Sequence, residues 1–362
     1  MLTSSATQIM LFHRRDTGIV AFAYGEKYHW AQPALESCGF QRGDNDTYLL
    51  PPSTAGEAQA AAADLIVTAE RLQVTVATSP RRYLGDIADH IAEQLPGTWM
   101  ASVTVYSQPV WQEDLVAWLW DSGELMEAAL AGRVPYAATL NNGAGIELLL
   151  IERPGHPAGY VVGAFSSEGF DDNYQDATAP ASLVAEESGL AAGITDRFLP
   201  AYQQALHARR TIQVASALDR IRTEFRAWKA LVASTRYSTA TPVGIEALGT
   251  RTEEFLTRAS QDFLAVLDHG RPLLEQYPSA ITQRPGNADI IARLSAALTD
   301  AETVLVCDTP LTRQERCERM WPAIETWLTD GERLLLQDRP TAPAVHRPPA
   351  LPASEPPRNH RR

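Results

Sequence analysis

Residues 136–165 decide how the first half of the chain is read. They run Tyr136-Ala137-Ala138-Thr139-Leu140, then Asn141-Asn142-Gly143, then Ile146 to Ile151, then Arg153-Pro154-Gly155-His156-Pro157, then Tyr160-Val161-Val162-Gly163-Ala164-Phe165. Each apolar run is long enough for a strand. Asn-Gly accepts the positive φ of a tight hairpin turn, and Pro-Gly punctuates the second connection. Three consecutive strands on short turns make an antiparallel meander.

Helices and strands alternate upstream of it. Ala34 to Cys38 reads as a helix end stopped by Gly39, and Tyr48-Leu49-Leu50 as a strand closed by Pro51-Pro52. Ala62, Leu65, Ala69 and Leu72 fall at helical spacing, and Gln73 to Ala77 alternates as a strand. Leu84, Ile87, Ile91 and Leu95 mark another helix, Ser102 to Tyr106 a strand, and Trp111, Leu115 and Trp118 one stripe of a further helix. The first 180 residues are thus expected to form an α+β domain, with one antiparallel or mixed sheet and flanking helices.

The chain changes character near residues 180–200. Val214, Leu218, Ile221, Phe225, Trp228 and Val232 alternate spacings of four and three, a coiled-coil-like seam that needs a matching surface. Ser234 to Thr241 reads as a linker, Thr250-Arg251-Thr252-Glu253 as a capping box, Gly286-Asn287 as the approach to a third helix, and Thr309-Pro310 as the start of a fourth, interrupted at Pro322. Residues 200–338 are expected to be an all-α bundle. Residues 339–362, with seven prolines and five arginines, are expected to be a disordered tail.

Charge follows the same division. Residues 1–199 hold 10 basic and 25 acidic side chains, a net of −15; residues 200–338 are near balance at −2, and the tail carries +4. The acidic half repels a phosphate backbone, so nucleic-acid contact is expected only through the basic tail. Cys38, Cys307 and Cys317 form no CxxC spacing, and no apolar run reaches the eighteen or so residues of a spanning helix. The expected setting is a reducing cytoplasm, with no membrane contact.

Phosphate-cradling glycine loops, HExxH and GxSxG are all missing, and no two histidines share the spacing of a ligand pair. No cofactor is expected. Asp171, Asp172 and Asp176, near Glu168, place oxygen ligands densely in one loop but lack the EF-hand order, so the expectation is a solvated loop with at most a weak metal site. Arg81 and Arg82, in Ser79-Pro80-Arg81-Arg82-Tyr83, stand before a helix and suit contact with a phosphate or carboxylate. Trp111 and Trp118 share a core stripe, which leaves Trp120 for a partner surface.

Two resemblances add to this. The segment Glu147 to Arg153 and then Gly159 to Gly163 is similar to the central strands of GNAT acetyltransferases, which would imply an acyltransferase pocket beside the 136–165 meander. The corresponding coenzyme A loop would be Glu186-Glu187-Ser188-Gly189-Leu190-Ala191, with an acid where that family carries Gln or Arg. Over most of the chain, segments such as Cys38-Gly39-Phe40, Tyr48 to Pro51, Ser79 to Ala88 and Trp111 to Leu125 resemble a group of uncharacterised actinobacterial proteins of streptomycete type. The reading that follows is a non-catalytic interaction protein whose helical half binds a protein partner or a second copy. The alternatives are an enzyme of unrecognised type and an accessory nucleic-acid protein.

Overall fold

A computed structural model describes residues 6–14, 18–51, 54–120, 123–165, 179–237, 242–277, 282–306 and 311–338. The tail 339–362, the acidic loop with Asp171, Asp172 and Asp176, and Cys307 lie outside the described residues. The chain forms two compact units, Met1–Arg209 and Arg210–Arg362.

The first unit contains two sheets where the sequence suggested one. Strands β1 (Gln8–Arg14), β2 (Gly18–Tyr24), β3 (Gln41–Arg42), β4 (Tyr48–Leu50) and β5 (Thr75–Thr78) make the first, in the order β3-β4-β2-β1-β5. All pairings are antiparallel except β1 with β5. Helices α1 (Tyr28–Ser37) and α2 (Ala55–Arg71) cover one face through Ala31, Ala34, Leu35, Leu65 and Ala69, which pack with Ile9, Leu11, Ala21, Tyr48 and Leu50. Thr54 and Glu57 form the capping box that starts α2.

The second sheet contains the meander. β6 (Met100–Val105), β7 (Tyr136–Asn141), β8 (Glu147–Glu152), β9 (Gly159–Ala164) and β10 (Leu183–Glu186) pair in sequence order, antiparallel throughout. Its outer face packs Leu149, Ile151 and Val161 against Leu115 of α4 (Pro109–Ala117) and Leu125 of α5 (Glu124–Ala131). The largest core of the unit joins Phe12, Val20 and Phe22 of the first sheet to Tyr136, Leu148, Leu150 and Val162 of the second. α3 (Leu84–Gln94) adds Leu84, Ile87 and Ile91 to it.

Residues 183–206, which the sequence divides between a boundary zone ending near residue 200 and the start of the helical half, contribute to this core. α6 (Glu187–Gly193) and a π-helical stretch, Ile194–Phe198, lead into α7 (Leu199–Tyr237). Leu183, Leu190, Ile194, Phe198, Tyr202 and Leu206 are all buried there.

Among the described residues, the second unit is built from helices and holds no strand. It comprises α7 from Arg210 onward, α8 (Pro242–Glu275), α9 (Asn287–Val306), α10 (Arg313–Thr326) with a π-helical stretch Trp327–Gly331, and α11 (Glu332–Asp338). Val214, Leu218 and Ile221 of the seam are buried against Ala259, Phe263, Leu294, Leu298, Ile324 and Trp327, so the chain's own helices cover the stripe. Phe225 and Trp228 stack with Phe255, and Trp321 closes this ring cluster. Three local expectations change. α8 starts at Pro242, so Thr250 lies inside it rather than capping it. The capping box that starts α10 is Thr312 with Glu315, and Pro322 is accommodated inside that helix. No helix among the described residues is long and apolar enough to cross a membrane.

Candidate functional site

The carbonyls of Arg153, His156 and Gly159 around the β8–β9 turn each accept one backbone N–H and can take further donors. Arg81 supplies them. It follows the break at Ser79-Pro80, where Ser79 Oγ accepts from the Arg81 backbone N–H at 3.1 Å. Its guanidinium donates to the carbonyls of His156 at 2.6 Å, Gly159 at 3.3 Å and Arg153 at 3.4 Å. Arg81 Nε also lies 3.4 Å from Glu152 Oε2, and the Tyr136 hydroxyl donates to Glu152 Oε1. These contacts tie the β8–β9 turn to the chain before α3, and the carboxylate beside Arg81 is the chain's own Glu152.

Arg82 is placed differently. It pairs with Glu187 at the mouth of a cleft of about 450 Å³ formed by α3, the end of the β8–β9 turn and the β10–α6 junction. Ile87, Ile91 and Ala191 give the cleft an apolar floor, while His90, Gln94, Glu186 and Ser188 line its rim. Gln94 Nε2 and His90 Nε2 are 2.7 Å apart. Tyr160, 4% exposed, also lines the cleft, and its hydroxyl makes no hydrogen bond with the described residues. Burial first, then Glu152 and Glu187, raises the pKa of this phenol, and Arg81 and Arg82 partly oppose them. The segment compared with a coenzyme A loop, Glu186 to Ala191, thus borders the meander pocket with two carboxylates, charges that repel a pyrophosphate.

A second cleft, about 410 Å³, opens between the two sheets. Arg14 in its wall pairs with Asp86 at 2.9 Å and with Asp89 at 3.7 Å. Burial, the largest cause, raises the Asp89 pKa, and it pushes that of the Tyr83 phenol up to about 12. Asn45, in the left-handed region at φ 54°, donates from Nδ2 to the Val103 carbonyl and joins the wall to β6.

Trp120 is partly buried: its backbone N–H donates to the Ala164 carbonyl, its ring lies 5.8 Å from that of Tyr202, and the Arg209 guanidinium sits 5.4 Å above it. Trp118 is 46% exposed. α4 ends at Ala117, so the helical period that puts Leu115 inside does not extend to Trp118 or Trp120. A row of rings, missed by sequence reasoning, joins α4 to α1. Trp111 contacts Tyr28, Tyr28 contacts His29, and His29 contacts Trp30, with centroids 5.7 to 5.9 Å apart. Trp30 is 51% exposed and Val110, beside Trp111, 50%. The clue was Tyr28-His29-Trp30, three rings in a row on a polar helix start.

Among the described residues no three His, Cys, Asp or Glu side chains converge as metal ligands. Cys38 and Cys317 are free thiols. No family model, curated protein or solved structure matches the chain.

Proposed function

We propose that the chain is a non-catalytic interaction protein of a reducing cytoplasm, and that its α+β unit carries the partner-binding face. The half-exposed side chains Trp30, Val110 and Trp118, with exposed His29, support this reading most directly. Burying one such side chain is worth about 1.5–3 kcal/mol, so several left in water form a reserve of binding energy. Tryptophan and tyrosine are also the side chains that most often dominate binding interfaces. Glu26, Glu113 and Asp114, close to these side chains in sequence, are exposed and favour a partner with basic residues at its rim.

The partner surface moves here from the helical half because the stripe from Val214 to Trp228 packs against the chain's own helices. The test is a Trp30→Ser/Trp118→Ser double variant, compared with the unaltered protein by in-cell crosslinking and by thermal melting. The expected result is loss of one specific crosslinked partner with an unchanged melting temperature. Retention of that partner, or a lowered melting temperature, would overturn the reading.

A further inference from the structure

The cleft between α3, the β8–β9 turn and the β10–α6 junction holds both signs of charge within a few ångströms, above an apolar floor. Arg82 and Glu187 face each other there with side chains 44% and 33% exposed, and Glu186 adds a second, exposed carboxylate. A simple anion would meet two acids, and a simple cation would meet Arg82. A ligand carrying both charges satisfies both sides. Tyr160 supplies a further donor at the wall of the cleft. It is more than nine-tenths buried, it lines the cleft, and its hydroxyl has no hydrogen-bond partner among the described residues. The ring is buried while the hydroxyl reaches the water of the cleft, so it is open to bond a ligand or water oxygen there.

We propose that this cleft binds a free α-amino acid with an apolar side chain. The carboxylate is held by Arg82 and the Tyr160 hydroxyl, the ammonium by Glu187 and Glu186, and the side chain lies on Ile87 and Ile91. The two charges of an α-amino acid are close together, as are those of the Arg82–Glu187 pair. That pair is solvent-exposed and worth at most about 1 kcal/mol, so opening it for a ligand costs little. The volume of about 450 Å³ lies within the range of small-molecule sites. This inference does not rest on the aromatic face.

The experiment is titration calorimetry of the full chain with L-leucine, N-acetyl-L-leucine and L-leucinamide. Saturable binding of L-leucine is expected, with each singly charged analogue weaker by about tenfold or more. Arg82→Gln and Glu187→Gln should each abolish L-leucine binding. Tyr160→Phe should weaken it several-fold and leave the melting temperature unchanged, because no internal hydrogen bond is lost. Absence of saturable L-leucine binding in the unaltered protein overturns the proposal. So does equal binding of either analogue, or Tyr160→Phe binding that matches the unaltered protein.

Discussion

Arg81 donates to the His156 carbonyl at 2.6 Å, joining the start of α3 to the turn between β8 and β9. The two residues are 75 positions apart, so this contact forms only when the α3 region and the meander are both in place. Arg81→Met keeps the aliphatic stem but removes donors to three carbonyls and the charge beside Glu152. Charge-assisted hydrogen bonds are worth about 1.5–3 kcal/mol each, and a loss of roughly 3 kcal/mol in urea unfolding is expected for the set. Arg82→Met, which breaks a solvent-exposed pair, should stay within about 0.5 kcal/mol of the unaltered protein.

Trp327 tests the packing of the helical unit. Its indole is 1% exposed and lies against two glycines: a Cβ on Gly331 would come within 2.8 Å of Cε3, and one on Gly270 within 3.1 Å of Cη2. Alanine gains about 1 kcal/mol over glycine in a helix, whereas overpacking a core costs about 1–3 kcal/mol. At 2.8 Å the clash outweighs the propensity. Gly331→Ala is expected to lower stability in denaturant, and Gly270→Ala to do so less.

Phe225 is the seam residue with the most ring contacts, touching Trp228, Phe255 and Trp321, with the Lys229 ammonium 4.2 Å above it. Phe225→Ala should cost about 3 kcal/mol. Because the rings around it belong to the same chain, the drop in melting temperature should not depend on protein concentration. A melting temperature that rises with concentration would show that a second copy shares the seam.

Glu147 gives a prediction in pH. Burial alone raises its pKa, so the native state holds this proton more tightly than the unfolded chain. Its contribution therefore destabilises the fold at pH 7, and the penalty disappears as pH falls through the raised pKa toward the ordinary carboxylate range. Glu147→Gln should melt above the unaltered protein at pH 7, and the difference should shrink on acidification. A constant difference across that range would mean that Glu147 is not the titrating group.

The legible parts of the fold were those specified by local pattern. The β7–β9 meander was readable because Asn141-Asn142-Gly143 and Arg153 to Pro157 announce their turns, and the structure places Gly143 and Gly155 at positive φ. The seam through Val214, Leu218 and Ile221 was readable because α7 keeps its period over many turns. The β1–β2 hairpin was missed, and with it the second sheet. Val20 to Ala23 are buried in succession, so the strand lacks the alternation of one wet face and one dry face. In the candidate site, Arg81 and Arg82 were identifiable as a basic pair next to a helix. Their separate fates were not, because the carbonyls that engage Arg81 lie more than 70 residues away.

The parallel pairing of β1 with β5 also has a consequence for synthesis. β1 finds β2 within a short hairpin, but its other edge waits for Thr75 to Thr78, the partners of Gln8 to Leu11. A ribosome adding about 5–20 residues per second leaves that edge open for on the order of several seconds. The open edge belongs to Ile9 and Leu11, both apolar and buried in the finished protein. An unpaired apolar strand is a template for pairing with another chain. Slowing translation before codon 78 should therefore lower the soluble yield, although the protein produced would have an unaltered sequence.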